Sequence, residues 1–562
     1  MDTKDIYERL HHEEDVQTIG SAVPKNDTGD ARSTSDVDVE PRRRIAHNML
    51  STASQVTNMI RTADVIVVGG GGAGLSAAIS ARTSGADVIV IEKGERVGGT
   101  TALSVGSFTA AATSYQYRTG VNDSPELFER DMQLANGTNE ANENIELRHV
   151  LANNAGPTLE WLSTLGVHFL GPTPEPPFEK PRMHNIIPNS RAYIEALQRE
   201  CERRGVTIVT DCRASQLLVD KDERIIGVRA GHDFIAGRGV ILATGDYSNS
   251  TSLKAKYVSE ESARVPGVNP LSTGDGFNMG LSVGAVPCNM DRTLEQLRFY
   301  PSRRKDPIKM LPSHPVVTSA LSWTVSHLPK RVLAFAARSA LTSWVAPENS
   351  LYPAGAILIG PRARRFANEQ VSHEAARSLA AEAENRCYVF FDSRVADKFS
   401  RWPNPVSTFP GIAYAYVKDY RTYRPDVYHV SDTITGLARQ IGLDPHTLEE
   451  TIGKWNDAVD QNYDEDFGRT DFGAGISQPP YYALGPLGGF VTISDGGLKV
   501  DTECRVLRED GQPIRGLWAA GSTGQGGLQL VNHGLHIAWA MTSGRIAGRS
   551  AALSTDLASL SG

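Results

Sequence analysis

Cysteine is scarce. The 562 residues hold five, Cys201, Cys212, Cys288, Cys387 and Cys504, set far apart and with no CxxC pair among them. Thiolate-built metal and cluster sites need paired spacing, and a c-type haem needs CxxCH. A zinc ribbon, an iron–sulfur cluster and a fused haem segment are therefore excluded. A scattered odd count fits a reducing compartment, so a cytoplasmic location is the expectation. Basic charge is also short: 57 Lys and Arg stand against 65 Asp and Glu, a net charge of −8. Without a basic stripe, nucleic-acid binding is excluded. No run of about 18 apolar residues is present, which argues against a membrane span. The opening Met1-Asp2-Thr3-Lys4-Asp5 lacks the basic start and apolar stretch of a secretory leader.

Glycine and proline, by contrast, are plentiful, at 52 and 30 residues, as the tight turns of an α/β enzyme require. Length alone suggests about three or four domains; the motifs below suggest two. Residues 1–61 are read as a tail, disordered in part, because Thr18 to Pro41 is rich in Ser, Thr, Asp and Gly and holds few large apolar residues. Arg42, Arg43 and Arg44 form a contact site or, as the simpler reading, a solvated charge run. Ile45, Met49, Val56, Met59 and Ile60 mark one face of a short helix.

From Ala63 the pattern changes. Asp64 to Val68 reads as a buried strand, Leu75 to Arg82 as a helix and Ala86 to Ile91 as a second strand, a β–α–β order that predicts a parallel sheet. A hairpin-like pair is expected between Val206 and Val228, and another strand from Val240 to Ala243. Residues 286–465, rich in proline and tryptophan, read as an inserted cap. Within it Leu443 to Trp455 is a helix with Asp444 as N-cap and Pro445 at its first position. The glycine-rich pattern returns from Pro479 and ends in a helix from His533 to Ala552. The expected fold class is α/β: a Rossmann-like dinucleotide-binding domain (62–285 and 466–553) with an inserted α+β cap (286–465) and a C-terminal tail (554–562).

Between the first strand and helix, Gly69, Gly71 and Gly74 have the GxGxxG spacing, with Gly72 and Ala73 between. The first glycine permits the tight turn, the second lets backbone approach a pyrophosphate, and the third packs helix on strand. The helix N-terminus supplies amide donors. Glu92 closes the second strand 18 residues after Gly74, where a carboxylate accepts from ribose hydroxyls. A lone GxGxxG is weak; flanked by strand, helix and acid it is strong.

Gly98, Gly99, Thr100, Thr101, Ser104 and Gly106 follow. Further on come Ala243-Thr244-Gly245 (with Asp246 where a second glycine is usual), Ser272 to Gly276 reading STGDG, and Arg365 to Glu369 reading RFANE. Pro480 to Ala483 reads PYYA, Gly496-Gly497-Leu498 precedes Asp501, and Gly516 to Gly521 reads GLWAAG. In this order the motifs resemble the fumarate reductase and succinate dehydrogenase flavoprotein superfamily, nearest in site residues to the 3-ketosteroid dehydrogenases, over about residues 62 to 553.

The resemblance implies FAD. Lys93, Ala214 and Asp275 join the cofactor-binding set, Gly521 and Ser522 lie with Ala520 along the phosphate and ribityl chain, and Gly534, Leu535 and His536 face the pyrimidine end of the flavin. Members with covalent flavin use a His near the first flavin loop; Thr100 to Ser107 has none, so the FAD is expected to be non-covalent and no metal is expected. The resemblance further implies hydride exchange across a C–C bond next to an activating group. Its proton-handling residue falls on His373, alternatively a surface histidine of a helix through Glu374 and Ala376. Its carbonyl-polarising tyrosine falls on Tyr482, alternatively a packed core residue, with Gly488 or Gly489 as a helping amide. Dicarboxylate anchors are absent from Phe490–Asp495 and Gln529–Asn532, neither of which holds a basic residue. His533 and His536 touch substrate or flavin, or cap a helix. Phe299, Trp323, Phe335, Trp344 and Tyr352 suit an apolar cyclic ketone or steroid substrate, or simply a core.

Three readings stay open: 3-ketosteroid-type 1,2-desaturation or enone reduction, fumarate-reductase-like reduction of an unsaturated carboxylate, and an FAD-binding electron-transfer subunit without its own substrate. The electron acceptor or donor is not legible.

Overall fold

Arg61–Val68 alternates little and is buried along its second half, as a strand covered on both faces must be. It lies inside an eight-stranded sheet whose main path runs Arg505–Leu507, Pro513–Ala519, His232–Leu242, Arg61–Val68, Val88–Ile91, Thr207–Val209. Neighbours from Pro513–Ala519 to Thr207–Val209 are parallel, and Arg505–Leu507 joins the edge antiparallel. The chain is described here by a computed structural model covering residues 61–302, 317–321, 324, 338, 341–342, 347–409 and 413–555, and all counts refer to these residues. The helix expected from Ile45 to Ile60, the Arg42–Arg44 cluster, and Trp323, Phe335 and Trp344 lie outside them. The described residues belong to one compact unit.

The expected hairpin is shifted along the chain. Thr207–Val209 pairs parallel to Val88–Ile91, and the antiparallel pair is Gln216–Val219 with Ile225–Ala230, which goes on to pair with His232–Leu242. The turn Asp220–Glu223 explains it: Asp220 Oδ1 accepts from the Asp222 and Arg224 amides, so the reversal is fixed there.

Gly72–Thr83 follows the first strand. Its small residues let the closing helix Leu535–Leu553 come unusually near. A Cβ on Gly544 would stand 2.3 Å from the Ala73 carbonyl oxygen, and one on Gly548 2.1 Å from that of Ala77. This contact fixes where the closing helix begins.

A five-stranded antiparallel sheet is built from Thr293–Phe299, Ile357–Ile359, Cys387–Phe391, Tyr428–Ser431 and Tyr481–Ser494. Tyr481–Ser494 is its central strand, pairing with Thr293–Phe299, Cys387–Phe391 and Tyr428–Ser431. By its glycines this stretch reads as part of the nucleotide-binding layer, yet its hydrogen-bond partners are cap strands. The buried cores divide accordingly: one is formed by residues up to Met290 and from Leu498 onward, two others by residues between Leu297 and Leu487. Pro445–Gln461 packs Leu448, Ile452 and Trp455 into the last of these, and Asp444 caps it, its carboxylate accepting from the Thr447 amide at 2.8 Å. A small sheet of Ser107–Thr109, His168–Thr173 and Met183–Ile187 lies beside the start of the closing helix. Among the described residues no helix is long and apolar enough to cross a membrane.

Candidate active site

At the end of the first strand the backbone leaves Val68 through Gly69, whose φ of +108° favours glycine. The glycines here do different jobs. A Cβ on Gly74 would stand 1.9 Å from the Gly69 carbonyl oxygen, so this position serves helix-on-turn packing. A Cβ on Gly71 would meet nothing nearer than 4.0 Å; it would stand in open space on the wall of a cavity. Glu92 is nearly buried, and one carboxylate oxygen accepts from the Gly70 amide at 2.7 Å, the other from the Gly94 amide at 2.7 Å. Each oxygen keeps a further lone pair, and the residue lines the same cavity.

The surrounding loops are tied to this turn. The Gly98 amide donates to the Gly70 carbonyl at 2.9 Å, and the Gly72 amide to the Thr101 hydroxyl at 3.3 Å. Asn269 donates to the Thr100 hydroxyl at 2.9 Å. Lys93 donates to the Asp275 carboxylate at 2.8 Å, and Arg213 to its other oxygen at 2.7 Å. Burial pushes the Asp275 pKa up, but hydrogen bonds from Arg213 and Lys93 outweigh it and hold the carboxyl below its usual range. Thr244 and Thr523 hydroxyls lie 3.1 Å apart, joining the Ala243–Gly245 turn to the Gly521–Gly524 turn. The Gly521 amide donates to Ser543 on the closing helix at 2.9 Å.

The cavity so formed opens to solvent. It is lined by Gly69, Gly71, Gly72, Ala73, Glu92, Lys93, Gly99, Thr100, Thr101, Ser104, Ala214, Ala243, Thr244, Gly245, Asp275, Gly521, Ser522 and His536. The structure thus brings together eighteen of the residues singled out from sequence. Five more, Gly74, Gly98, Gly106, Gly534 and Leu535, stand behind the wall rather than on it. Where a Cβ would project, Gly106 faces Ile186 and Gly534 faces Thr109, and Leu535 is buried in the main core. Sequence reasoning missed Arg96, Cys212, Asn269 and Ile493, which also line the cavity. None belongs to a spaced motif; only Asn269, just ahead of Ser272, stands close enough to one to be suspected.

Behind His536, which lines the cavity, side chains from several segments come together. Gly534, at φ +79°, caps the closing helix, and the His533 carbonyl accepts from Thr109 at 2.7 Å. Two histidine–carboxylate pairs bracket this glycine. His533 Nδ1 lies 2.5 Å from Glu175 Oε1, which also accepts the His533 amide at 2.9 Å. The hydrogen bond to Glu175 raises the His533 pKa, and the nearby Arg298 guanidinium opposes it. His536 Nε2 lies 3.8 Å from Asp495 Oδ1. Burial raises the Asp495 pKa, but His536 and then Arg292 hold the carboxyl below its usual range. Arg292 donates to Gln529, whose amide donates to Glu143 at 3.0 Å. Burial pushes Glu143 up to about 7. Cationic groups therefore reach this end from Thr293–Phe299 and the residue before it, although Phe490–Asp495 and Gln529–Asn532 hold none.

Neither His373 nor Tyr482 lines the cavity. His373 is exposed on the first turn of Ser372–Ala380. The RFANE stretch leading to it is a buried charge network: Arg365 donates to Glu369 at 2.9 Å and to Asp464 at 2.9 Å, and Arg469 donates to Glu369 at 3.2 Å. Tyr482 stacks on Phe391, ring centroids 5.6 Å apart and 8° from parallel, because its strand pairs with Cys387–Phe391. Nor is the Gly489 amide available, since it donates to Asn385 at 2.8 Å. Phe299 and Tyr352 are buried in the cap core.

A parallel sheet whose first turn forms a backbone cradle, with a buried acid at the end of the next strand and a cavity reaching a second helix N-terminus, defines an FAD-binding flavoprotein. The chain belongs to the family described as FAD binding domain, whose model matches residues 64–535. It is 29% identical over 501 residues to the NADH:fumarate oxidoreductase of Klebsiella pneumoniae (strain 342), a match covering 87% of this chain and 47% of that protein. The chain thus spans about half the length of that relative. A solved open conformation of a flavocytochrome c3 fumarate reductase superposes with a TM-score of 0.67 at 22% identity, covering 96% of this chain and 85% of the other. The 3-ketosteroid delta1-dehydrogenase from Sterolibacterium denitrificans superposes with a TM-score of 0.59 at 19% identity, covering 88% and 99%. At these identities the two structures speak for the fold alone. The residues present fit FAD: the cradle has the open space at Gly71 that a pyrophosphate needs, and Glu92 keeps acceptor capacity toward the cavity.

Proposed function

We propose that the chain reduces a carbon–carbon double bond conjugated to a carboxylate. Bound FAD supplies two-electron hydride chemistry; Gly69–Gly74, Glu92 and the loops around Thr100 and Thr244 hold it. The protein must then hold the acceptor group, exclude water and deliver a proton. One observation carries the choice of substrate class. His533, bonded to Glu175, stands three residues before His536, which lines the cavity, and the Arg298 guanidinium is near enough to act on the His533 ring. The positive field of two such groups favours an anionic substrate over a neutral ketone. The names of the fumarate-reducing relatives are in keeping with it. The ketosteroid reading rested on Tyr482, whose ring stacks on Phe391, and on the absence of basic anchors from Phe490–Asp495 and Gln529–Asn532.

The test is anaerobic. Holoenzyme reduced by dithionite is mixed with acrylate, fumarate, urocanate, cyclohexenone and a steroid enone, and flavin absorbance is followed. Rapid reoxidation by at least one carboxylate and slow reoxidation by both ketones is expected. Reoxidation by ketones alone, or by none of the five, rejects the reading.

A further inference from the structure

We infer that His533 and Glu175 form the proton-delivering dyad of this site, His533 as the catalytic acid and Glu175 as its positioning residue. The inference rests on the alkene-reducing function proposed above. Its ground is geometric. Glu175 Oε1 takes both the Nδ1 proton of His533, at 2.5 Å, and its backbone N–H, at 2.9 Å. One oxygen therefore fixes both the ring and the residue that carries it. The side chain of Glu175 is 10% exposed and that of His533 is 77% exposed, so the carboxylate is buried and the ring it holds is open. With Nδ1 committed, Nε2 is the nitrogen left to meet a substrate. A base or acid oriented by a third group is the arrangement general acid catalysis needs.

Placement supports the same role. His533 precedes Gly534 by one residue and His536, which lines the cavity, by three. The Thr109 hydroxyl holds the His533 carbonyl at 2.7 Å, so the backbone under the ring is anchored from the small sheet as well. The charged groups acting on the ring are Glu175, from the segment after His168–Thr173, and Arg298, from Thr293–Phe299. Glu175 keeps the ring protonated; Arg298 opposes it and favours release.

In the step itself the reductant is the reduced flavin. Hydride adds with its two electrons to the carbon β to the carboxylate, and the C=C π bond breaks. The π pair takes the proton at the α carbon, the Nε2–H bond breaks, and the neutral ring regains a proton from water. One hydride and one proton give one saturated C–C bond.

His533→Gln keeps a donor for Glu175 but has no proton to give. The expected result is a fall in kcat of about a hundredfold or more, with KM within about threefold and flavin content unchanged. Glu175→Gln removes the group that keeps the ring protonated, so the limb on which kcat falls with rising pH moves to lower pH, and Glu175→Asp moves it back. Unchanged kcat in His533→Gln overturns the dyad. So does a raised KM at constant kcat, which would make His533 an anchor, or a loss that follows His373→Gln and spares His533→Gln. Should wild-type holoenzyme reduce no alkene, the functional reading falls alone. The dyad is then judged by the ¹⁵N titration of His533 in holoenzyme: a lower midpoint in Glu175→Gln sustains it, and an identical midpoint overturns it.

Discussion

The two ends of the cofactor cavity are made of different material. At the Glu92 end the structure is backbone: Gly69, Gly71 and Gly74 are spaced within one turn, and one buried carboxylate lies where the next strand ends. Around His536 the structure is held instead by side chains drawn from five separate stretches, around Glu143, Glu175, Arg292–Arg298, Asp495 and Gln529–His536. Backbone recognition must be written as a local pattern, because only glycine spacing clears the way for it. Side-chain recognition needs only that the fold bring the residues together. The first end defines a cofactor shared by a family; the second is free to define a substrate.

The contrast is sharpest in paired glycine variants. Gly74→Ala forces a Cβ to within 1.9 Å of the Gly69 carbonyl oxygen, so the helix must leave the turn. FAD binding should fall more than about a hundredfold, which is more than 2.8 kcal/mol, and apoprotein melting temperature should fall with it. Gly71→Ala meets nothing within 4.0 Å in the protein and has an ordinary φ of −80°. It should leave apoprotein melting unchanged while weakening FAD about tenfold or more. Equal loss of stability in both variants would show that Gly71 is a packing residue and that the cradle lies elsewhere. Glu92→Gln comes next. A carboxamide cannot accept from the Gly70 and Gly94 amides through both its heteroatoms, so one buried donor is left unpaired at a cost of about 1–3 kcal/mol. Flavin titration of the apoprotein should show about tenfold weaker binding; an unchanged affinity would remove Glu92 from the cofactor site. In all three wild-type comparisons, acid precipitation should release the flavin into the supernatant, as non-covalent binding requires.

How much could be seen from the sequence follows the same division. The strand–glycine–helix–strand–acid unit was legible because each residue acts through local backbone geometry. Asp444 and Pro445 announced their helix for the same reason. Tyr481–Ser494 was misplaced, because its glycines look like those of the nucleotide-binding turns. Here, instead, Gly485 lies where a Cβ would stand 2.7 Å from the Cys387 carbonyl oxygen, a feature of close strand packing. Glu175 gave no signal at all: nothing in a Pro-Glu-Pro stretch says that a histidine 358 residues later will bond to it. His373 and Tyr482 were drawn from motif position, which fixes where a residue stands in the chain but not which way its side chain turns once the strand register is set.

His184, in the strand Met183–Ile187, tests whether the small sheet under His533 is a firm support. Its ring is fully buried, 2.9 Å from the Thr113 hydroxyl and 3.3 Å from the Phe108 carbonyl. Burial lowers its pKa to about 4 from an ordinary 6.5. The unfolded chain therefore takes up a proton first as pH falls. Stability should be unaffected above pH 6.5 and be lost as pH drops toward 4, by at most about 3 kcal/mol. Urea unfolding from pH 7 to 4 should show this slope in the wild type and a shallower one in His184→Gln. Equal slopes would mean that the ring titrates normally in the fold.

The smallest effect is expected at the residue that sequence resemblance valued most. Tyr482→Phe keeps the ring stacked on Phe391 and edge-on to Tyr428 at 6.1 Å, so the packing is retained. Burial, first, then Asp397 raise the pKa of its phenol, so the hydroxyl is a poorer acid than a free tyrosine and a weaker partner for a developing enolate. Stability should change by less than about 0.5 kcal/mol, as for a substitution that removes no contact. Turnover of a carboxylate-bearing alkene should stay within about twofold, far below the change a lost oxyanion donor causes. A tenfold or larger drop in kcat, above all one seen with a ketone and not with a carboxylate, would return the cap sheet to the chemistry. The cavity's side-chain end would then have to extend beyond His533 and Glu175 to the strand that carries Tyr482.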